Sequence, residues 1–220
     1  MYIQLNSQVI CYEKTGEGTP VILIHGNKGD HHTFDELAET MSAEHTVYSM
    51  DSRGYGESAT PKEYHYEDMA KDVINLIRAL DIEKPYLVGF SDGGIIALLV
   101  AIKESSLLSG IVCCGANLNP AGIHHRDLRE IKKEYKKTND PKTFMMLYEP
   151  DITPGELRSI NVPAFIIAGE DDCIKEKETK KIAENIKDSS LLILSGENHF
   201  SYIVHTDKLY QYIRDFLQDR

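Results

Sequence analysis

Gly89-Phe90-Ser91-Asp92-Gly93 sets a serine between two glycines. The pattern G-x-S-x-G is that of a nucleophile elbow, where the chain reverses sharply from strand to helix and leaves the hydroxyl exposed. A serine hydroxyl attacks a carbonyl only if a base takes its proton and a third group orients the base. The chain has nine histidines, so position must select the base. His199, in Gly196-Glu197-Asn198-His199-Phe200, follows the last apolar strand-like run. The acid is expected after the strand near 162–168, where Gly169-Glu170-Asp171-Asp172 offers two adjacent aspartates. Backbone N–H groups should hold the oxyanion: one from Asp92, after the nucleophile, and one from Asn27, after His25-Gly26. The rival reading of the pentapeptide, a chance tight turn containing serine, weakens once the flanking elements are laid out.

Those elements must place a strand before Ser91 and a helix after it. Tyr86-Leu87-Val88 supplies the strand and the apolar run Ile95 to Ile102 the helix. Upstream, strands are expected near Ile3-Leu5 and Val9-Glu13, then at Val21-Ile24, wholly apolar as in a strand covered on both faces, and at Thr46-Met50. Phe34, Leu37, Ala38 and Met41 recur at helical spacing, and Tyr66, Met69, Ala70, Val73, Ile74, Ile77 and Leu80 trace a helix face. Downstream come strands at Gly110-Cys114, Val162-Ile167 and Leu191-Leu194, and a last helix carrying Leu209, Tyr212, Ile213, Phe216 and Leu217. The alternation predicts an α/β fold: one domain over residues 1–220, with a mostly parallel central sheet flanked by helices on both faces. Residues 117–161 break the rhythm. They are too few for a core of their own and read as a lid insertion, with a lysine-rich helix from Arg126 to Lys137.

Other residues invite chemistry and are read more plainly. His25 is expected to shape its loop, and His31 and His32 to be solvated. His124-His125 lack a thiolate or carboxylate cluster at ligand spacing, so no metal site is expected. Lys132-Lys133 and Lys136-Lys137 read as a solvent face. Met145, Met146, Leu147 and Tyr148 read either as pocket wall or as local core. Arg53 and Glu57 are expected to organise their loop. Gly54 and Gly56 are no phosphate cradle, since no Lys-Ser/Thr follows.

Lys+Arg number 24 against 35 Asp+Glu, a formal net charge of −11. Such a surface repels phosphate backbones and anionic bilayers, so neither nucleic acid nor membrane is an expected partner. No run reaches the ~18 apolar residues of a membrane span, and the first residues lack a signal-peptide pattern. Cys11, Cys113, Cys114 and Cys173 form no CxxC pair and read as buried free thiols in a reducing, cytoplasmic setting.

Taken together, His25-Gly26-Asn27, Asp51-x-Arg53-Gly54-x-Gly56-x-Ser58, the elbow 89–93, Gly169-x-x-Asp172 and His199 resemble the α/β-hydrolase superfamily over essentially the whole chain. The resemblance implies that fold and a serine hydrolase cleaving carboxylic esters through an acyl-enzyme. Its acid falls three residues after the glycine, which selects Asp172. Gly89 to Ile95 with Gly115-Ala116-Asn117 resembles valacyclovir hydrolase-like amino-acid ester hydrolases, in which the aspartate after the nucleophile meets the substrate ammonium. The resemblance carries that role to Asp92. Physically, a carboxylate beside an oxyanion hole opposes the charge that forms there unless a cation pairs with it. The other reading of Asp92 is a helix N-terminal charge that never meets substrate. The shorter lid departs from that subgroup. A carbon–carbon hydrolase of ring-cleavage products would use the same three residues, and so would a ligand receptor or signalling regulator. The expected partner is a small-molecule ester, without cofactor, bound by a monomer or small homo-oligomer.

Overall fold

The computed structural model describes residues 1–6 and 8–218. Its eight strands are β1 (Tyr2–Leu5), β2 (Gln8–Thr15), β3 (Thr19–Ile24), β4 (His45–Met50), β5 (Tyr86–Phe90), β6 (Gly110–Cys114), β7 (Ala164–Asp171) and β8 (Ser189–Asn198). They form one sheet in the order β1-β2-β4-β3-β5-β6-β7-β8. β1–β2 and β2–β4 pair antiparallel, and every later pair is parallel.

The helices are α1 (Asp35–Met41), α2 (Tyr66–Ala79), α3 (Asp92–Glu104), α4 (His125–Thr138), α5 (Pro141–Tyr148), α6 (Pro154–Leu157), α7 (Glu176–Glu184) and α8 (Tyr210–Ile213). Side chains alternate across each strand, so successive residues enter opposite layers. Ile22, Ile24, Leu87, Ile111 and Ile166 pack with α2, α3 and α7. Val21, Leu23, Val88, Val112 and Ile167 pack with Phe34, Leu37, Met41, Leu209 and Ile213 on the other face. Apolar runs such as Val21–Ile24 are therefore buried on both sides, as parallel strands require. Among the described residues, no helix is long and apolar enough to cross a membrane.

Three local expectations change. The last helix closes after one turn, at Ile213; Leu217 stays buried in the turns beyond it. His31 is buried rather than solvated, because the carboxylate of Asp51 accepts both its N–H (2.7 Å) and its Nδ1–H (2.8 Å). Cys173 is only half-buried, whereas the other three thiols are buried.

The chain between β6 and β7 is stitched back to the sheet. His124 N–H donates to Cys173 O and Lys175 N–H to Gly122 O, closing a small antiparallel bridge around Ile123 and Ile174. That bridge fixes where α4 begins.

Candidate active site

Ser91 joins β5 to α3 with φ 53° and ψ −114°, a conformation L-residues rarely adopt. Its N–H donates to Cys114 O on β6 (2.7 Å), and its carbonyl accepts the N–H groups of Gly94 and Ile95. The flanking glycines are demanded by space. A Cβ on Gly93 would lie 1.9 Å from Ile24 O, and one on Gly89 would lie 2.1 Å from Gly93 O. Only a bare backbone lets the elbow sit this close to β3.

β8 delivers His199 to the same end of the sheet, and β7 delivers Asp172. The β7–β8 register shifts between Gly169 and Asp171, which carries the acid past the strand end. His199 Nε2 lies 3.1 Å from Ser91 Oγ, and His199 Nδ1 lies 2.7 Å from Asp172 Oδ1. Asp172 Oδ1 also accepts the Ile174 N–H at 2.8 Å. With Nδ1–H directed to the carboxylate, Nε2 is left free to accept a proton. Phe90 and Phe200 lie against the imidazole, with ring centroids 4.9 Å from it. His199 and Asp172 are both buried, so their bond is shielded from water. Asp171 is exposed, at the end of β7.

The loop after β3 approaches the elbow closely: a Cβ on Gly26 would lie 3.0 Å from Ser91 Cβ. Neither the Asn27 N–H nor the Asp92 N–H is used in the turn and loop hydrogen bonds around them. His25, fully buried, braces this loop. Its Nδ1–H donates to Gly26 O (2.7 Å) and its Nε2 accepts the Ser52 N–H (3.0 Å). Burial depresses its pKa, which suits this neutral tautomer.

Asp92 turns inward. Its Oδ1 accepts the Tyr66 hydroxyl at 2.7 Å, and Oδ2 is buried on the pocket side of α3. Burial pushes its pKa up to about 6, with Tyr66 and the Asn27 amide favouring the ionised form more weakly. Tyr66 is itself positioned from α5's far end: Glu149 accepts its N–H and also bonds His65.

A cavity of about 270 Å³ joins these groups. Ser91, Asp92, Asn27, His199 and Phe200 form its floor, and Asp127, Glu130, Ile131, Met146 and Glu149 face it from the 115–163 segment. A larger open groove lies at the opposite, amino ends of the strands, lined by residues such as Lys14, Thr19, Ser109 and Pro163. It holds none of these groups. Ligands in open parallel sheets bind at the carboxyl ends, where the smaller cavity is.

Tyr66, Glu149, Asp127 and Glu130 line this site without standing out in the sequence. Tyr66 looked like one more core position of α2. On α4, Asp127, Glu130 and Ile131 share one face at i, i+3, i+4 spacing, a signal masked by the conspicuous lysines opposite.

A family profile described as alpha/beta hydrolase fold matches residues 19–140. Over 98% of this chain and 85% of the relative, the sequence is 28% identical to the human serine hydrolase BPHL. Among solved structures, the enol-lactonase from Burkholderia xenovorans LB400 superposes with a TM-score of 0.83 at 19% identity, covering 100% of both chains. A thermophilic esterase from Thermogutta terrifontis gives 0.80 at 22% identity, covering 99% of this chain and 97% of its own. At those identities the superpositions speak to the fold alone.

Proposed function

Because the chain belongs to the α/β-hydrolase family, we propose that it is a serine hydrolase acting on carboxylic esters, with Ser91 as nucleophile, His199 as base and Asp172 as its orienting acid. The observation that carries this reading is the unbroken chain Ser91 Oγ, His199 Nε2, His199 Nδ1, Asp172 Oδ1, at 3.1 and 2.7 Å. Ser91 attacks the acyl carbonyl as His199 takes its proton, and Asp172 stabilises the imidazolium. The N–H groups of Asn27 and Asp92 hold the tetrahedral oxyanion; losing one such donor costs about 10²–10³ in rate. His199 then protonates the leaving alcohol, and water resolves the acyl-enzyme. Residues 117–161 act as the lid over this chemistry.

We further propose a preference for α-amino acid esters, with the substrate ammonium on Asp92. Support comes from the wall of the pocket. Asp92, Asp127, Glu130 and Glu149 line it, and among the described residues no lysine or arginine does. Such a cavity favours a cation and disfavours the carboxylate of a ring-cleavage product. The test is a panel of amino-acid esters, matched acyl esters and lactones, run on wild type, Ser91→Ala and Asp92→Asn. Ser91→Ala should lose nearly all turnover on every ester, and full retained activity would overturn the assignment. Asp92→Asn should slow amino esters far more than acyl esters, and an equal effect would remove the ammonium role.

A further inference from the structure

Cys173 lines the pocket, and the proposed reaction does not use it. Its Sγ, a carboxylate oxygen of Asp172 and a ring nitrogen of His199 all lie within 4.8 Å of one another. Around a zinc ion, ligands at roughly 2.0–2.3 Å stand a little over 3 Å apart, so small side-chain shifts would close this set. We infer that Asp172, Cys173 and His199 form a site for a thiophilic divalent cation such as zinc, which enters from the pocket and switches the candidate base off.

Two further features point to a cation. Asp172 Oδ1 already takes two hydrogen bonds, and the Cys173 thiol leans on the same buried carboxylate with a proton that a cation would replace. Asp127, which lines the same pocket, has a buried Oδ2 without a hydrogen-bond partner among the described residues. A buried carboxylate oxygen without a partner is costly, and a divalent ion would satisfy it. The thiol selects among cations. Zinc, cadmium and cobalt accept a sulfur ligand, whereas magnesium and calcium prefer oxygen.

The proton count explains the switch. At neutral pH an ordinary free thiol carries its proton. On binding, the thiol gives its proton to solvent and its sulfur to the metal. His199 stays neutral but changes tautomer. Nδ1 takes the metal, the ring proton moves to Nε2, and Nε2 no longer accepts from Ser91 Oγ. The cation is then a reversible inhibitor. Binding rests on the ligand geometry alone; inhibition also rests on the proposed role of His199.

The experiment separates these parts. Co²⁺ added to the full chain should give a thiolate-to-cobalt charge-transfer band that Zn²⁺ abolishes, a readout that needs no turnover. Cys173→Ser and Cys173→Ala should both lose the band. A band that survives in both variants would move the metal to another thiol, such as Cys11 near His31 and Asp51, and overturn the site. So would no band at all in wild type. In parallel, Zn²⁺ should inhibit wild-type ester hydrolysis, and chelator should reverse it. Mg²⁺ should have no effect. Losing this ligand should raise the half-inhibitory Zn²⁺ concentration by at least the ~10–100-fold that losing an outer-shell partner costs, each variant being compared with its own metal-free rate. Equal zinc sensitivity in wild type and Cys173→Ser, or a cobalt band with no loss of rate, would overturn the switch.

Discussion

The Tyr66 hydroxyl donates a 2.7 Å hydrogen bond to Oδ1 of the buried Asp92 carboxylate. The pair links the first turn of α2 to the residue after the elbow serine. It also sets how much charge the pocket floor carries near neutral pH.

That charge has a price in stability. Burial raises the Asp92 pKa from 3.8 in its ordinary setting to about 6 in the fold. A raised carboxyl binds its proton more tightly when folded. The stabilisation is full below about pH 4 and is lost as pH rises through about 6. A shift of about two units is on the order of 3 kcal/mol. Asp92→Asn should therefore melt higher than wild type at neutral pH and show little advantage in acid. Equal melting curves at neutral pH would show that the carboxylate is not strained by burial.

Tyr66→Phe removes the hydroxyl that favours ionised Asp92, so the carboxyl pKa should rise further. In wild type, the kcat/KM of an α-amino ester relative to its acyl counterpart should fall as pH drops through about 6, because protonated Asp92 cannot pair an ammonium. Taking the ratio cancels any titration that the two substrates share. In Tyr66→Phe the same fall should occur at higher pH. Leaving the acceptor unpaired should also destabilise the fold by about 1–3 kcal/mol. An unmoved ratio profile would sever Tyr66 from substrate recognition.

Much of this was legible in the sequence, for reasons tied to particular residues. Val21–Ile24, Tyr86–Phe90 and Gly110–Cys114 are apolar on both faces, so burial announces parallel strands. The elbow is legible because Gly89 and Gly93 sit where a Cβ would collide with backbone. What resisted reading is what tertiary contact alone defines. His31 is buried only because Asp51, twenty residues away in the chain, accepts its N–H and its ring. Tyr66 meets Asp92 across twenty-six residues, and no local pattern distinguishes it from Met69 or Val73. The short last helix resists reading because buried spacing at Leu209, Ile213 and Leu217 persists past Ile213, where three-residue turn bonds interrupt the helical ladder.

Ser91 sits at φ 53°, where a side chain costs about 1–2 kcal/mol relative to glycine. Ser91→Gly relieves that strain but adds about 0.5–1 kcal/mol of unfolded-state entropy. The glycine variant should be inactive yet at least as stable as wild type, and more stable than Ser91→Ala, which keeps the strain. Urea denaturation of the three proteins decides it. If Ser91→Ala proves the more stable variant, the elbow stores no strain and its geometry is simply what the neighbouring strands impose.

Arg53 ties the loop after β4 to α2. Its Nε and Nη2 reach the two carboxylate oxygens of Asp72 at 2.6 and 2.7 Å, with Asp68 3.6 Å from Nη1. Asp72 is almost fully enclosed, its side chain 4% exposed. Burial already raises its pKa even with the guanidinium in place. Arg53→Ala would strand a buried charge, a change that typically costs 3–5 kcal/mol. Without its partner, the Asp72 pKa should climb further, so protonation in mild acid would remove the unpaired charge. The deficit of Arg53→Ala should therefore be larger at neutral pH than in mild acid, and Arg53→Ala/Asp72→Asn should recover part of it. Equal deficits at both pH values would mean that the loss comes from the packing of the arginine stem rather than from the orphaned carboxylate.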